Sequence, residues 1–577
     1  MWRNPLYDSA ALEDIIYVNN RLPRIGVTMI QRRKCFLRRA LLPLILISLF
    51  LSQCSDQRQA DRSKRRQAAE IAVSGGIYHT PLLNNPKTLD PASAEDLYSQ
   101  TLVQQLFDGL VRFSPDLLIV PALAENWQIE GNGRLYQFHL RDNARFHNGA
   151  PVSTQDVVFS LCRLVRTEPP SSILPHLLKI HGAREYRSGE RDQLDGVSVV
   201  DDRVLRIRLE EPYAPFLAAL AMFQAKIVPR DDVLEKGARF GRNPVGSGAF
   251  RFRSWDDGKT IRLQRFPEYY AGPAYLDEVE YFIYPGGEID QVLADFEQGK
   301  LQDMSVYGKV RQSLLKMNDI QWFHRPSLSL LFYGLNCQHP ALNHPDVRKA
   351  LSLAIDRNKL IAAAYDGQFE AARSILPPGI LGYSPENLRV VYDLDRAQKY
   401  LEGALGQRIA MMPTLEVASA VQSPVAKAEL EFIGTCWSQL GITLVPKFIP
   451  NWTEFERHAR SDALQAYRYA WFADIPDPDS ILQPLFGSDS NNNHTRCRND
   501  TVDQMLRSAS ATIQPAERAL MYQKIENLVL EAMPLVPLVH LSIDHVYQAN
   551  VRGVQLNALG DHALSLHRVW LEKTAKQ

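Results

Sequence analysis

Tyr467–Phe486 reads YRYAWFADIPDPDSILQPLF. Aromatic side chains crowd its first six positions, Tyr467 to Phe472, which is strand composition. Pro476 and Pro478 then stop the strand, because each lacks a backbone donor and fixes φ. Asp477-Pro478 has the order of an N-cap followed by proline at the first helical position, and SILQPLF continues as a helix. The stretch is a strand, a turn and a helix, and it leaves Asp474 at the carboxyl end of the strand, where ligands gather in open α/β sheets. An aspartate there can hold a metal, do acid–base chemistry, seat a cationic group, or simply cap the turn.

The rest of the chain extends the same alternation. Leu135–Leu140, LYQFHL, and Val204–Leu209, VLRIRL, alternate with period two and read as half-buried strands. Ser153 with Asp156 three residues on makes a capping-box-like start for the helix VVFSLCRLV. Asp346–Leu360 reads as one amphipathic helix, with Val347, Leu351, Ala354, Ile355 and Leu360 inward and Arg348, Lys349, Asp356 and Lys359 exposed. Mixed strands and helices over a 577-residue chain predict a multi-lobed α/β (mixed α+β) protein.

Composition narrows the partners. An apolar fraction of 45% and a charged fraction of 23% are ordinary for a globular protein. The 65 basic residues equal the 65 acidic ones, which argues against a nucleic-acid partner. The 8 Trp, 22 Tyr and 23 Phe are enough to wall a ligand cleft.

Near the N-terminus, Arg32, Arg33, Lys34, Arg38 and Arg39 precede the apolar run Ala40–Leu51. As a helix that run spans about 18 Å, short of the ~20 residues a membrane crossing needs, so it reads as a secretory signal. Met29 is the natural start of this pattern, which leaves residues 1–28 as an extension and 29–54 as the signal. Leu51-Ser52-Gln53-Cys54 resembles a bacterial lipobox, with Gln53 where a small residue is usual. Cys54 is therefore the lipidation candidate, and a soluble periplasmic product is the alternative. Residues 55–70 are polar and Arg-rich and read as a disordered tether. Cys162, Cys337, Cys436 and Cys497 are too widely spaced for a CxxC motif, and their pairing stays open.

Sequence motifs for chemistry are few. HExxH, Walker A, GxSxG and GxGxxG are all lacking. Val245–Phe250, VGSGAF, reads as a tight turn before a strand. His339 with His344, and His540 with His545, lack one-face metal spacing and read as surface or loop histidines. DIPDPDS has neither the glycine nor the distal glutamate of a calcium loop. No second acid is identifiable for hydrolysis, although Asp474 with Asp477 is the pair a hydrolase would use. Of the three chemistries, seating a cation fits best: a carboxylate offers a charge-assisted hydrogen bond, and neighbouring Trp471 a cation–π face.

Separated segments then point to a family. Asn85–Pro91, NPKTLDP, and Leu106–Leu110, LFDGL, are followed by Pro121–Leu161, PALAENWQIEGNGRLYQFHLRDNARFHNGAPVSTQDVVFSL. NPVGSGAF, Asn243–Phe250, comes next, then Asn336 and Pro345–Asp356, PDVRKALSLAID. In order and spacing, from about residue 77 to the end, these resemble the family 5 extracellular solute-binding proteins, the peptide receptors of bacterial ABC importers. The resemblance implies a two-lobed, type II, cluster C-like periplasmic-binding-protein fold. It places lobe one at 71–326 plus 542–577, with an extra subdomain at about 112–230, and lobe two at 327–541.

In the peptide-binding branch a G-W-x-A/G-D segment carries the aspartate that meets the ligand's α-ammonium. Ala470-Trp471-Phe472-Ala473-Asp474 is similar to it, with Ala470 in place of glycine. The resemblance thus implies Asp474, Trp471, Phe472, Ala473 and Asn336 as ligand-binding residues, with no catalytic residue, metal or cofactor. Some members carry a cysteine at the position of Phe472, bridged to the region that here reads SLSLLFYGLN; both halves are lacking. The implied partners are a peptide and an ABC permease with its ATPase, the chain acting as a periplasmic or lipid-anchored monomer. Nickel chelates and oligosaccharides are other ligands of the family, and an exported hydrolase is the reading from another class.

Overall fold

In the computed structural model, which describes residues 72–573 apart from 307, 309, 387–388 and 407–413, Ala466–Phe472 is a strand and Asp479–Phe486 a helix. The expected extension, signal, tether and Cys54 lie outside the described residues. The strand belongs to a six-stranded sheet ordered Glu370–Ala371, Leu535–His540, Ser329–Leu335, Ala466–Phe472, Leu415–Ser419, Leu444–Phe448. Ala466–Phe472, Leu415–Ser419 and Leu444–Phe448 are mutually parallel, so their carboxyl ends share one edge. Ser329–Leu335 is buried at every position. Its Leu330 and Phe332 enter one apolar cluster while Leu331, Tyr333 and Leu335 enter another, so the sheet is covered on both faces.

A separate antiparallel sheet, Ala124–Glu130, Leu135–Leu140, Val204–Arg208 and Val197–Val199, lies within the 112–230 region. Tyr136, Phe138, Leu205 and Ile207 form its apolar face, packed with Val157, Leu161 and Leu164 of the helix Thr154–Arg166. Ser153 caps that helix as expected: its side chain takes the Asp156 N–H, and Asp156 takes the Ser153 N–H at 3.0 Å. Further sheets comprise Ile77–Leu82, Glu278–Ile283, Thr260–Arg265 and Phe250–Asp256, and Asp303–Ser305, Ser542–Gln548 and Ile320–Pro326. The turn before Phe250 is tight: a Cβ on Gly246 would sit 1.9 Å from the Leu106 carbonyl oxygen, and one on Gly248 2.4 Å from that of Gln105.

The chain passes from the three-stranded to the six-stranded sheet after Pro326 and returns after His540. The two passages lie side by side, with Ser327 N–H donating to the Leu541 carbonyl at 2.8 Å and Leu541 N–H to the Ser329 hydroxyl at 3.1 Å. Among the described residues no helix is long and apolar enough to cross a membrane.

Three readings need correction. Asp346–Leu360 is two helices, Pro345–Leu353 and Arg357–Ala364, because Asp356 takes the Lys359 N–H and starts a new helix. Arg348, read as exposed, is buried, and its guanidinium donates to the carbonyls of Leu342, Asn343, Ala532 and Met533; Lys349 and Asp356 are half-buried. His540 and His545 are buried on strands: His540 Nδ1 meets the Ser329 carbonyl at 2.8 Å, and His545 lies between Asp303 and Asp561. A smaller shift moves the N-cap of Asp479–Phe486 to Pro478, one residue past Asp477.

Candidate functional site

The turn after Phe472 folds back on the helix that follows it. Ala473 is buried, and its N–H donates to the Leu328 carbonyl at 2.8 Å, tying the strand's exit to the first passage between sheets. The Trp471 indole donates to the Ser480 carbonyl at 2.8 Å, and the Asp474 N–H donates to the Ser480 hydroxyl at 3.0 Å. Alternation puts Phe472 on the opposite face from Trp471, and it is 55% exposed.

The helix start is satisfied by Asp477, not Asp474. Asp477 takes the Asp479 N–H at 2.9 Å and both arms of Arg518 at 2.5 and 2.7 Å. Among the described residues, the Asp474 carboxylate has no hydrogen-bond or ion-pair partner. Its side chain is exposed to solvent, and Glu95 is near enough for the two charges to interact. Lost hydration, and then the charge of Glu95, raise its pKa to about 6. Glu95 is held by the Ser171 hydroxyl at 2.6 Å, the Ser172 N–H at 3.1 Å and the Gln224 amide at 3.5 Å. Ile475, the next residue, is fully buried in the core of the 112–230 sheet.

An unneutralised carboxylate is suited to an ammonium group, which would return to Asp474 the charge compensation it lacks. The pairing of Asp474 with Asp477 for hydrolysis is not available: Asp477 is buried and locked in a bidentate ion pair with Arg518. Among the described residues, no group of three or more His, Cys, Asp or Glu is arranged for a metal.

Asn336 lies apart from the turn. It is buried, its amide donating to the Leu464 carbonyl at 3.2 Å and its oxygen taking the Gln338 N–H at 3.0 Å. Two side chains joined to this region by the fold escaped sequence reading. Glu95 carries no local signal, and its nearness to Asp474 is entirely tertiary. Trp452, 54% exposed, follows the parallel strand Leu444–Phe448 and lies against Phe455 and Tyr469 with ring centroids 5.6 Å apart in each case; a Trp just beyond a strand end was the available clue.

Sheets joined by two adjacent passages, with an open carboxylate at a parallel-strand edge, define a class: two-lobed periplasmic binding proteins of mixed α/β fold. The ABC transporter-associated periplasmic binding protein DppA of Helicobacter pylori, solved with the peptide STSA, superposes with a TM-score of 0.70 at 25% identity over 87% of this chain and 99% of that one. Residues 119–493 match the profile of the bacterial extracellular solute-binding proteins, family 5 Middle, and the chain belongs to this family. The peptide transport periplasmic protein SapA of Salmonella typhimurium is 26% identical over 91% of this chain and 97% of its own. The heme-binding protein A of Haemophilus influenzae is 27% identical over 87% and 94%.

Proposed function

We propose that this chain is the substrate-binding receptor of an ABC importer, capturing extended peptides between two closing lobes and passing them intact to an inner-membrane permease and its ATPase. Lobe one is residues 71–326 plus 542–577, including the subdomain at about 112–230, and lobe two is 327–541. The paired passages at Ser327 and Leu541 act as the hinge. Asp474 takes the peptide's α-ammonium and so fixes its register. Exposed Phe472 offers the ligand an apolar wall, Trp471 braces the turn from the other face, Ala473 sets the turn, and Asn336 supports the strand pair from its far end. Cys54 supplies the membrane tether, and the receptor works as a monomer without cofactor or catalysis.

The observation that carries this reading is the Asp474 carboxylate, which has no hydrogen-bond or ion-pair partner among the described residues. The peptide named with the Helicobacter neighbour and the peptide transport named for the Salmonella relative favour the same ligand class. A ligand whose polar groups are carboxylates would instead meet Asp474 and Glu95 as like charges.

Titration calorimetry with the peptide STSA and its N-acetylated form tests the assignment. Truncating one member of a desolvated charge pair costs about 2–5 kcal/mol. Asp474→Ala is therefore expected to weaken binding by roughly one to three decades, and acetylation of the wild-type ligand to do the same. Equal affinities for the free and acetylated peptide would end the register assignment, and turnover of the peptide would end the receptor reading.

A further inference from the structure

Cys337 and Cys497 are distant in sequence and meet in the fold. Cys337 follows the strand Ser329–Leu335, and its N–H donates to the Thr495 carbonyl at 2.9 Å. Cys497 lies two residues past Thr495, its own N–H on the Thr495 hydroxyl at 3.4 Å and its carbonyl held by the Asn493 amide at 2.9 Å. The two half-buried side chains lie close enough for their thiols to interact. The Cys337 thiol also reaches the Leu335 carbonyl at 3.7 Å. The other two free cysteines lie in other clusters, Cys162 against the core of the 112–230 sheet and Cys436 buried among Trp437 and its neighbours.

We propose that Cys337 and Cys497 form a redox-modification site that closes to an intramolecular disulfide when the chain meets a disulfide oxidant. The backbone bond from Cys337 to Thr495 holds the two segments together, so thiols this close need mainly side-chain rotation to reach the ~2.0 Å bond. The thiols divide the work. Interaction with the Cys337 thiol draws Cys497 down against the effect of burial, with Arg348 adding its positive charge. The same interaction, together with burial, pushes Cys337 up.

Cys497 is thus the attacking thiolate. It bonds to one sulfur of the oxidant's disulfide and expels the other as a thiol, leaving a mixed disulfide. Cys337 then gives up its proton, bonds to the Cys497 sulfur and expels the second thiol. Two S–H bonds are replaced by one S–S bond, and two electrons and two protons leave with the oxidant, now two thiols. The product ties the end of a central strand to the loop before the helix Asp500–Ala511, closing a long loop of the unfolded chain.

The test uses the reduced full chain, oxidised glutathione as the oxidant, an acid quench, alkylation under denaturing conditions and peptide mapping. The expected result is a linked Cys337–Cys497 pair with Cys162 and Cys436 alkylated, and a melting temperature about 3–8 °C above that of the reduced chain. Cys337→Ser is expected to retain glutathione on Cys497 and to gain no such rise. Recovery of Cys337 and Cys497 from the wild-type chain both alkylated, each as a separate glutathione adduct, or linked to other cysteines would overturn the proposal. None of these outcomes depends on the chain binding a peptide.

Discussion

Asp474 keeps an ionisable group where its charge is disfavoured. A carboxyl whose folded pKa lies above its unfolded value costs stability at pH above the folded value, and the cost fades as pH falls through it. Asp474→Asn is therefore expected to leave the melting temperature at pH 7 unchanged or raised, while weakening the proposed peptide binding. With the pKa near 6, a free Asp474 is mostly ionised at pH 7 and mostly protonated at pH 5. Affinity should fall about tenfold over that interval, whereas a carboxyl of ordinary pKa would lose almost nothing; calorimetry at the two pH values, with Asp474→Asn as the flat control, measures this. Arg518 poses the opposite case. Replacing it with Met strands the buried Asp477 and Asp479 carboxylates and should cost about 3–5 kcal/mol, read from urea denaturation. Asp474 stood out in the sequence because proline and strand signals bracket it within a few residues. Glu95 and Arg518 did not, since each acts on this turn from a distant segment.

Strands and caps were readable because their causes are local: period-two alternation in Leu135–Leu140, and the Ser153 and Asp156 pair. What was misread depends on neighbours. Arg348 lies on a face that helical periodicity assigns to solvent, yet the end of another helix, Ala532–Met533, offers it carbonyls there. His540 and His545 look like surface residues until Ser329, Asp303 and Asp561 are brought beside them. Glycines divide the same way, and two of them predict opposite signs. Gly434 lies inside the helix Pro424–Ser438, where a Cβ would meet Leu444 at an ordinary 3.7 Å. Gly434→Ala should stabilise by about 0.5–1 kcal/mol through helix propensity. Gly246 faces backbone at 1.9 Å, which cannot step aside as a side chain would. Gly246→Ala should lower the urea midpoint by an amount equivalent to at least 1–3 kcal/mol, the range for overpacking. Equal effects at the two positions would refute the close-approach account.

Sheet order, and which loops meet across the molecule, have no sequence-local cause, so they could be expected only from the family resemblance. The fold brings the turn at Ile475 into the core of the 112–230 sheet, and two more links run beside it. The Tyr213 hydroxyl, 2.7 Å from His176 Nδ1, donates to Asp479 at 3.3 Å, and the Ala214 N–H donates to the Ser510 carbonyl at 2.8 Å. In the proposed receptor these contacts join the subdomain of lobe one to lobe two immediately beside the ammonium seat, so closure and ligand capture would share one turn. Ile475→Asp would place an unpaired charge in that apolar core, a burial that the open form avoids by exposing the residue to water. The substitution should therefore favour separation of the lobes: the radius of gyration from small-angle scattering increases, peptide affinity falls, and each sheet keeps its own core. A conservative Ile475→Val should leave both readings near wild type. Scattering and affinity unchanged in Ile475→Asp would mean that this turn takes no part in closure and that the hinge at Ser327 and Leu541 acts without it.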